Sequence, residues 1–157
     1  MNNKYELTEE TKNIYGITLH RIRALRDIPS RCVKAGDLGG WIEKGENLSQ
    51  DGNAWVAGDA RVYGDARVYG DARVYGDAEV YGNNDYMVFK NSWSSGRWFT
   101  YTRSNKMWTV GCFHGTGEEL IKKAYTDSKK SGKCYKAIVR AVEAIEAAKA
   151  EAKGGAK

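Results

Sequence analysis

Proline, histidine and cysteine are scarce in this chain, and so are long apolar runs. Of 157 residues, one is proline, two are histidine and three are cysteine. The cysteines, Cys32, Cys112 and Cys134, are odd in number and lack the spacing of a zinc site or a redox pair. That leaves a reducing, cytoplasmic setting as the expectation, with no metal and no cofactor. No apolar stretch is long enough to cross a bilayer, and Met1-Asn2-Asn3-Lys4 does not open a secretory signal. Membrane partners are therefore not expected.

Charge is present but unevenly placed. The formal net charge is +5. Residues 51–85 carry three basic and seven acidic side chains, whereas residues 86–157 carry fourteen basic and six acidic. The middle of the chain is acidic and its last third basic. A basic excess suits an acidic partner, and solvated helix lysines account for it equally well.

The most specific feature is a six-residue period over residues 52–84. Gly52-Asn53-Ala54-Trp55-Val56-Ala57 is followed by Gly58-Asp59-Ala60-Arg61-Val62-Tyr63, and the latter six letters return at Gly64 and Gly70. A copy with Glu79 in place of Arg begins at Gly76, and Asn84 breaks a sixth. A fixed short period of this kind predicts stacked parallel strands. Within Ala-Arg-Val-Tyr, alternate side chains point to opposite faces. The line of Val56, Val62, Val68, Val74 and Val80, with Ala54, Ala60, Ala66, Ala72 and Ala78, is thus predicted inside. Trp55, Arg61, Tyr63, Arg67, Tyr69, Arg73, Tyr75 and Tyr81 are predicted outside. Gly-Asp makes each corner, Gly by tolerating positive φ and Asp by bonding its own backbone.

These copies resemble the left-handed hexapeptide-repeat proteins, as in Val62-x-x-x-Ala66 and Val68-x-x-x-Ala72, although Tyr63 and Tyr69 stand where that family often has small residues, which leaves the handedness open. The resemblance implies coils of roughly eighteen residues. Arg61 is then expected beside Glu79, Trp55 beside Arg73 and Tyr63 beside Tyr81. The expected fold class is a β-solenoid with an N-terminal β-hairpin cap, joined to a small α+β domain built of an antiparallel sheet and two helices.

Around the repeats, Lys4–Leu7 and Ile17–Leu25 read as strands turned at Gly16, the second ended by Asp27 and Pro29. Counting back in sixes from Ala54 reaches Leu48 and Ile42, so stacking is expected to begin near Ile42, with the hairpin and Trp41 closing the open end. After Asn84, three strands are expected at 86–89, 97–102 and 106–110. Thr116-Gly117-Glu118-Glu119 has capping-box spacing and opens a helix that Ser131-Gly132 ends. A second helix carries Tyr135, Ile138, Val139, Val142, Ile145, Ala148 and Ala152 at helical spacing. The expected parts are residues 1–41 (cap), 42–84 (repeats) and 85–157, with helices over 117–130 and 133–153.

Taken together, Lys34–Ile42, the Gly-Asp-Ala-Arg-Val-Tyr copies and Val110-Gly-Cys-Phe-His-Gly-Thr-Gly-Glu-Glu119 resemble a loose group of phage and prophage proteins of unknown function. The resemblance implies a mobile-element origin and action inside a bacterial host cell. It supplies no catalytic mechanism.

Candidate chemistry is thin. Hexapeptide-repeat acyltransferases use a histidine base, but His20 and His114 both lie outside the copies, and no loop interrupts the copies to form a substrate pocket. Cys112 and His114, two apart, have the geometry of a nucleophile and base but no third partner in sequence. As metal ligands they lack two companions. Gly36 to Gly40 lacks the Lys and Ser/Thr of a phosphate loop. No catalytic residue is assigned.

Two binding readings remain. Arg97, Trp98, Tyr101 and Arg103 mix basic and aromatic side chains on one strand, and Lys122 and Lys123 would extend the field, a pattern suited to nucleic acid. The Tyr, Trp and Arg outside the repeats are residue types enriched at interface hot spots, which suits a protein partner or self-association. The expected function is a non-enzymatic protein of phage type that binds and blocks a bacterial host protein or nucleoprotein complex, such as a CRISPR effector. A nucleic-acid-binding accessory protein and an acyltransferase are the alternatives.

Overall fold

A computed structural model describes residues 3–28, 33–111 and 113–155, with side chains as far as residue 151. The chain divides into two compact units, Met1–His114 and Gly115–Lys157.

The first unit starts with a hairpin of β1 (Tyr5–Ile14) and β2 (Ile17–Ala24). Tyr15 and Gly16 both take positive φ, 54° and 80°, the combination a two-residue hairpin turn requires. β2 pairs antiparallel with β3 (Leu38–Ile42). β3 then pairs parallel with β5 (Arg61–Val62), and β5 with β7 (Glu79–Val80). One five-stranded mixed sheet results, ordered β1-β2-β3-β5-β7. A two-stranded parallel sheet holds β4 (Trp55–Val56) and β6 (Arg73–Val74), and Leu48 bridges Val68 in parallel.

This arrangement corrects the expected fold class. The hexads contribute strands of two residues, and half of those strands extend the sheet of the N-terminal hairpin. The described strands sort into sheets of five, four and two. With two helices, the chain is a small α+β fold, not a β-solenoid with an attached domain. Local stacking nevertheless follows the eighteen-residue spacing: Trp55 pairs with Arg73, and Arg61 with Glu79. Before the first full copy the spacing differs. Ile42 pairs with Val62, and Leu48 with Val68. Leu48 thus joins the valine line, not the alanine line that counting in sixes gives.

The interior is the one the alternation predicts. The five Val and five Ala are all buried, with Ile42 and Leu48. Backbone N–H groups of Asn53, Trp55, Ala57, Asp59, Arg61 and Tyr63 each donate to a carbonyl one copy-set later, at 2.8–3.1 Å. Gly58, Gly64, Gly70 and Gly76 take φ of 64–73°. A side chain in that region is strained, which is why every corner keeps its glycine.

The N-terminal end is closed by side chains. Tyr5 donates its hydroxyl to the Leu48 carbonyl at 2.6 Å, and buried Lys4 donates Nζ to the Ala54 carbonyl at 2.7 Å. Gln50 substitutes for a strand: its Oε1 accepts from Lys4 N and its Nε2 donates to the Tyr5 carbonyl. Trp41 lies under Lys12 Nζ, 4.2 Å from the ring centroid.

Past the repeats, β8 (Tyr86–Lys90), β9 (Trp98–Thr102), β10 (Met107–Val110) and β11 (Phe113–Gly115) form a four-stranded sheet, ordered β11-β10-β9-β8. β8–β9 and β9–β10 pair antiparallel, as the turn signals predict. Side-chain oxygens between residues 83 and 104 (two hydroxyls, one amide and one carboxylate) cap the backbone of the last three copies. Arg73 N donates to Thr100 Oγ1 (2.9 Å), Glu79 N to Ser104 Oγ (2.7 Å), Arg67 N to Asn83 Oδ1 (2.9 Å), and Tyr81 N and Gly82 N to Asp85 Oδ2 (3.0 Å each). Exposed strand edges invite pairing with other chains; here short side chains occupy the donors.

In the second unit, α1 (Gly117–Asp127) starts at the predicted capping box: Glu119 N donates to Thr116 Oγ1, and Thr116 N to Glu119 Oε1. The helix ends earlier than expected, at Ser128, and α2 (Lys129–Gly155) runs through Gly132. Gly132 is a packing glycine, not a stop. A Cβ there would lie 2.3 Å from the Tyr125 ring. Tyr135, Val139 and Val142 are buried as the stripe predicts, while Ile145 is exposed.

Candidate interaction surfaces

The outward side chains of the copies differ in what they already touch. Arg61 and Tyr63 share Glu79: Arg61 Nη1 lies 3.6 Å from its Oε1, and the Tyr63 hydroxyl donates to the same atom at 3.1 Å. Glu79, which stands where the three preceding copies carry Arg, is thus a partner for two side chains one copy-set earlier. Burial, then the Glu79 contacts, push the Tyr63 phenol up to about 12. Its ring stacks on Tyr81 at 5.9 Å, as the spacing predicts. Arg73 and Tyr75 are also engaged. Arg73 Nη1 donates to the Gly111 carbonyl at 2.7 Å, its guanidinium lies over the Tyr75 ring, and that ring meets His114 edge-on at 4.7 Å.

Trp55 is a correction. It is predicted outside, yet only 1% of it is exposed. It belongs to the core cluster that includes Tyr5, Ala24, Ile28 and Val33, so the N-terminal segment turns the outer face of the first copy into interior. The Arg73 guanidinium stacks on Tyr75 instead of on Trp55.

Three predicted outer residues are exposed, Tyr81 while stacked on Tyr63. Arg67 is exposed, Tyr69 is 58% exposed and Tyr81 59%. Arg67 and Tyr69 line an open groove of about 690 Å³ with Asp65 and Asn83, facing Glu46 and Leu48 to Gln50 across it. The backbone beneath is pinned on both sides. Arg67 N donates to Asn83, and the Arg67 carbonyl accepts the Tyr86 hydroxyl at 2.7 Å. Burial, then proximity to Tyr69, raise the Tyr86 phenol to about 12. The groove therefore combines a fixed floor with a free guanidinium and a free ring. The periodicity gives no sign of it, because Arg67 and Tyr69 sit in one of three copies with identical letters.

The residues read for nucleic acid are dispersed. Arg97 and Trp98 are exposed, Trp98 by 40%. Tyr101 is 5% exposed and packs on Trp108 at 4.9 Å. This overturns its reading as a stacking residue: alternation along β9 sends Phe99 and Tyr101 into one aromatic cluster. Arg103 approaches Asp85 at 3.9 Å. Lys122 and Lys123 are exposed on α1, in the second unit. Lys90, the register partner of Trp98, and Gly111, against Arg97, are not among the residues read for nucleic acid.

Cys112 and Cys32 lie outside the described residues, so the Cys112–His114 pairing does too. Cys134 is a half-buried free thiol. Among the described residues, no group of three His, Cys, Asp or Glu could hold a metal ion, and no helix is long and apolar enough to cross a membrane. Compared with known proteins, the chain matches no family model and no curated sequence.

Proposed function

We propose that this chain is a non-enzymatic binding protein of phage or prophage type that docks on a bacterial host protein or nucleoprotein complex and blocks it. An anti-defence role against a CRISPR effector is one form of that activity. The observation that carries the reading is the groove at Arg67 and Tyr69. Neighbouring outer residues of the repeats are spent on internal partners, whereas these two stand free over a pinned backbone. The pinned backbone needs no ordering on binding, and Tyr and Arg are residue types enriched among interface anchors.

The test is affinity capture from bacterial lysate, with the captured complex identified and its activity measured. Arg67→Ala with Tyr69→Ala should abolish capture and inhibition while leaving the circular dichroism spectrum unchanged. Arg97→Ala with Arg103→Ala should leave both intact. No specific partner, combined with turnover in a substrate screen, would replace this reading with an enzymatic one.

A further inference from the structure

A second surface of the first unit carries positive side chains that form no ion pair among the described residues. Two guanidiniums meet at Gly111. Arg73 Nη1 donates to the Gly111 carbonyl at 2.7 Å. Arg97 Nη1 lies against the same residue, where a Cβ would sit 2.6 Å from it. Gly111 also takes a φ of 56°, so the glycine serves both the turn and the close approach of Arg97. Trp98 precedes Phe99, the register partner of Val110, which places Trp98 opposite Gly111 across the β9–β10 pair. Lys90 is the register partner of Trp98, and its Nζ lies 5.7 Å from the indole centroid.

Among the described residues, none of Arg73, Lys90 and Arg97 forms an ion pair. The like charges of Arg73 and Arg97, both against Gly111, repel one another and raise the local potential, to which Lys90 beside Trp98 adds. An anion with several acceptor oxygens relieves that repulsion, and guanidiniums favour phosphate by geometry as well as charge. The half-exposed indole adds a flat apolar platform beside the charges. Phosphate next to a stacking surface is the recognition pattern of single-stranded nucleic acid, in which cations track the backbone and an aromatic ring takes a base. A phosphopeptide would use the guanidiniums and leave Trp98 idle.

We propose that Arg73, Lys90, Arg97 and Trp98 form a binding site for the phosphodiester backbone and one base of a single-stranded nucleic acid. This site is separate from the Arg67–Tyr69 groove, so either can fail without the other.

The experiment is fluorescence anisotropy of a labelled oligothymidylate titrated with the full chain across a salt series. Binding at low salt should weaken as salt rises, with a log–log slope corresponding to two or three phosphates. Arg97→Ala and Lys90→Ala should each weaken binding about tenfold and each reduce the slope by about one. Trp98→Ala should also weaken binding about tenfold, with the slope unchanged, because stacking releases no counterions. Arg67→Ala with Tyr69→Ala should change neither quantity. Circular dichroism checks that each variant folds, and the exposed Lys90 site supplies the slope test if Arg97→Ala does not. The proposal is overturned by absence of binding at low salt, by an affinity indifferent to Arg97→Ala and Lys90→Ala, or by Trp98→Ala without effect. A phosphoserine peptide that binds where oligothymidylate does not would overturn it in favour of a protein ligand.

Discussion

The repeat segment and the four-stranded sheet use aromatic residues in opposite ways. In the repeats, Ala and Val fill the interior and the tyrosines stand outside, some stacked and some free. In the sheet, Phe89, Phe99, Tyr101 and Trp108 form the interior, with ring centroids 4.9–6.0 Å apart. The width of the space decides the outcome. Parallel strands two residues long, turned at every sixth residue, enclose room for aliphatic side chains, Ala and Val in the copies with Ile42 and Leu48 before them. The open face of an antiparallel sheet accommodates rings. Aromatic character alone therefore does not place a residue inside or outside. Trp55 shows the same rule from the other side: it occupies an outer position of a repeat and becomes interior once the N-terminal segment covers it.

The contrast can be tested by perturbing each interior in turn. Val68→Asp puts a charge where no partner and no water is available. It should cost at least about 4 kcal/mol, read by urea denaturation. A loss below about 1 kcal/mol would mean that the narrow interior opens to solvent. Trp108→Ala removes a large ring from the sheet and should cost about 3–5 kcal/mol by the same measurement. Thr100→Val with Ser104→Ala connects the two regions. It leaves the N–H groups of Arg73 and Glu79 without their side-chain acceptors and should cost about 1–2 kcal/mol, with slower exchange lost at those two amides. Unchanged amide protection would show that the caps are dispensable.

Smallest near neutrality is the effect of pH, and it concerns three tyrosines, one in the repeats and one on either side of them. Tyr5, Tyr63 and Tyr86 all have phenols raised from the ordinary 10 to about 12, in each case chiefly by burial. The unfolded chain releases these protons near 10 and the folded chain only near 12. Their stabilisation is thus complete below pH 10 and is lost as pH rises through about 12. A denaturation midpoint constant to pH 10 and falling between 10 and 12 is expected. Tyr63→Phe should reduce the fall.

Much of the interior was legible because identical letters at a fixed spacing leave one solution for Ala and Val. The Arg61–Glu79 and Tyr63–Tyr81 neighbours followed from the eighteen-residue coil that the hexapeptide-repeat resemblance implies, the N-terminal hairpin from the turn at Gly16, and the capping box from the Thr116–Glu119 interval. The fold class was not legible. Periodicity describes how copies stack, but not that β3 joins the hairpin sheet to β5. That junction depends on Gly39 and Gly40, whose missing side chains let the Val56 and Ala60 carbonyls approach. The helix boundary at Ser128 was hidden for a similar reason, since Gly132 serves Tyr125 instead of a turn. At the surface, Arg61, Arg67 and Arg73 are indistinguishable in sequence. Glu79, the altered letter of the fifth copy, and Gly111, outside the copies, determine which of these guanidiniums are occupied.

The side-chain caps also set a rule for how this chain can change length. Thr100, Ser104 and Asn83 each meet a different one of three consecutive copies. Duplicating one hexad would present each cap with its neighbour's strand and misalign all three at once. Duplicating three hexads would return every strand to the cap it now meets. Growth and loss by recombination are therefore tolerated in units of eighteen residues, and the stretch following the repeats serves as the gauge that counts them.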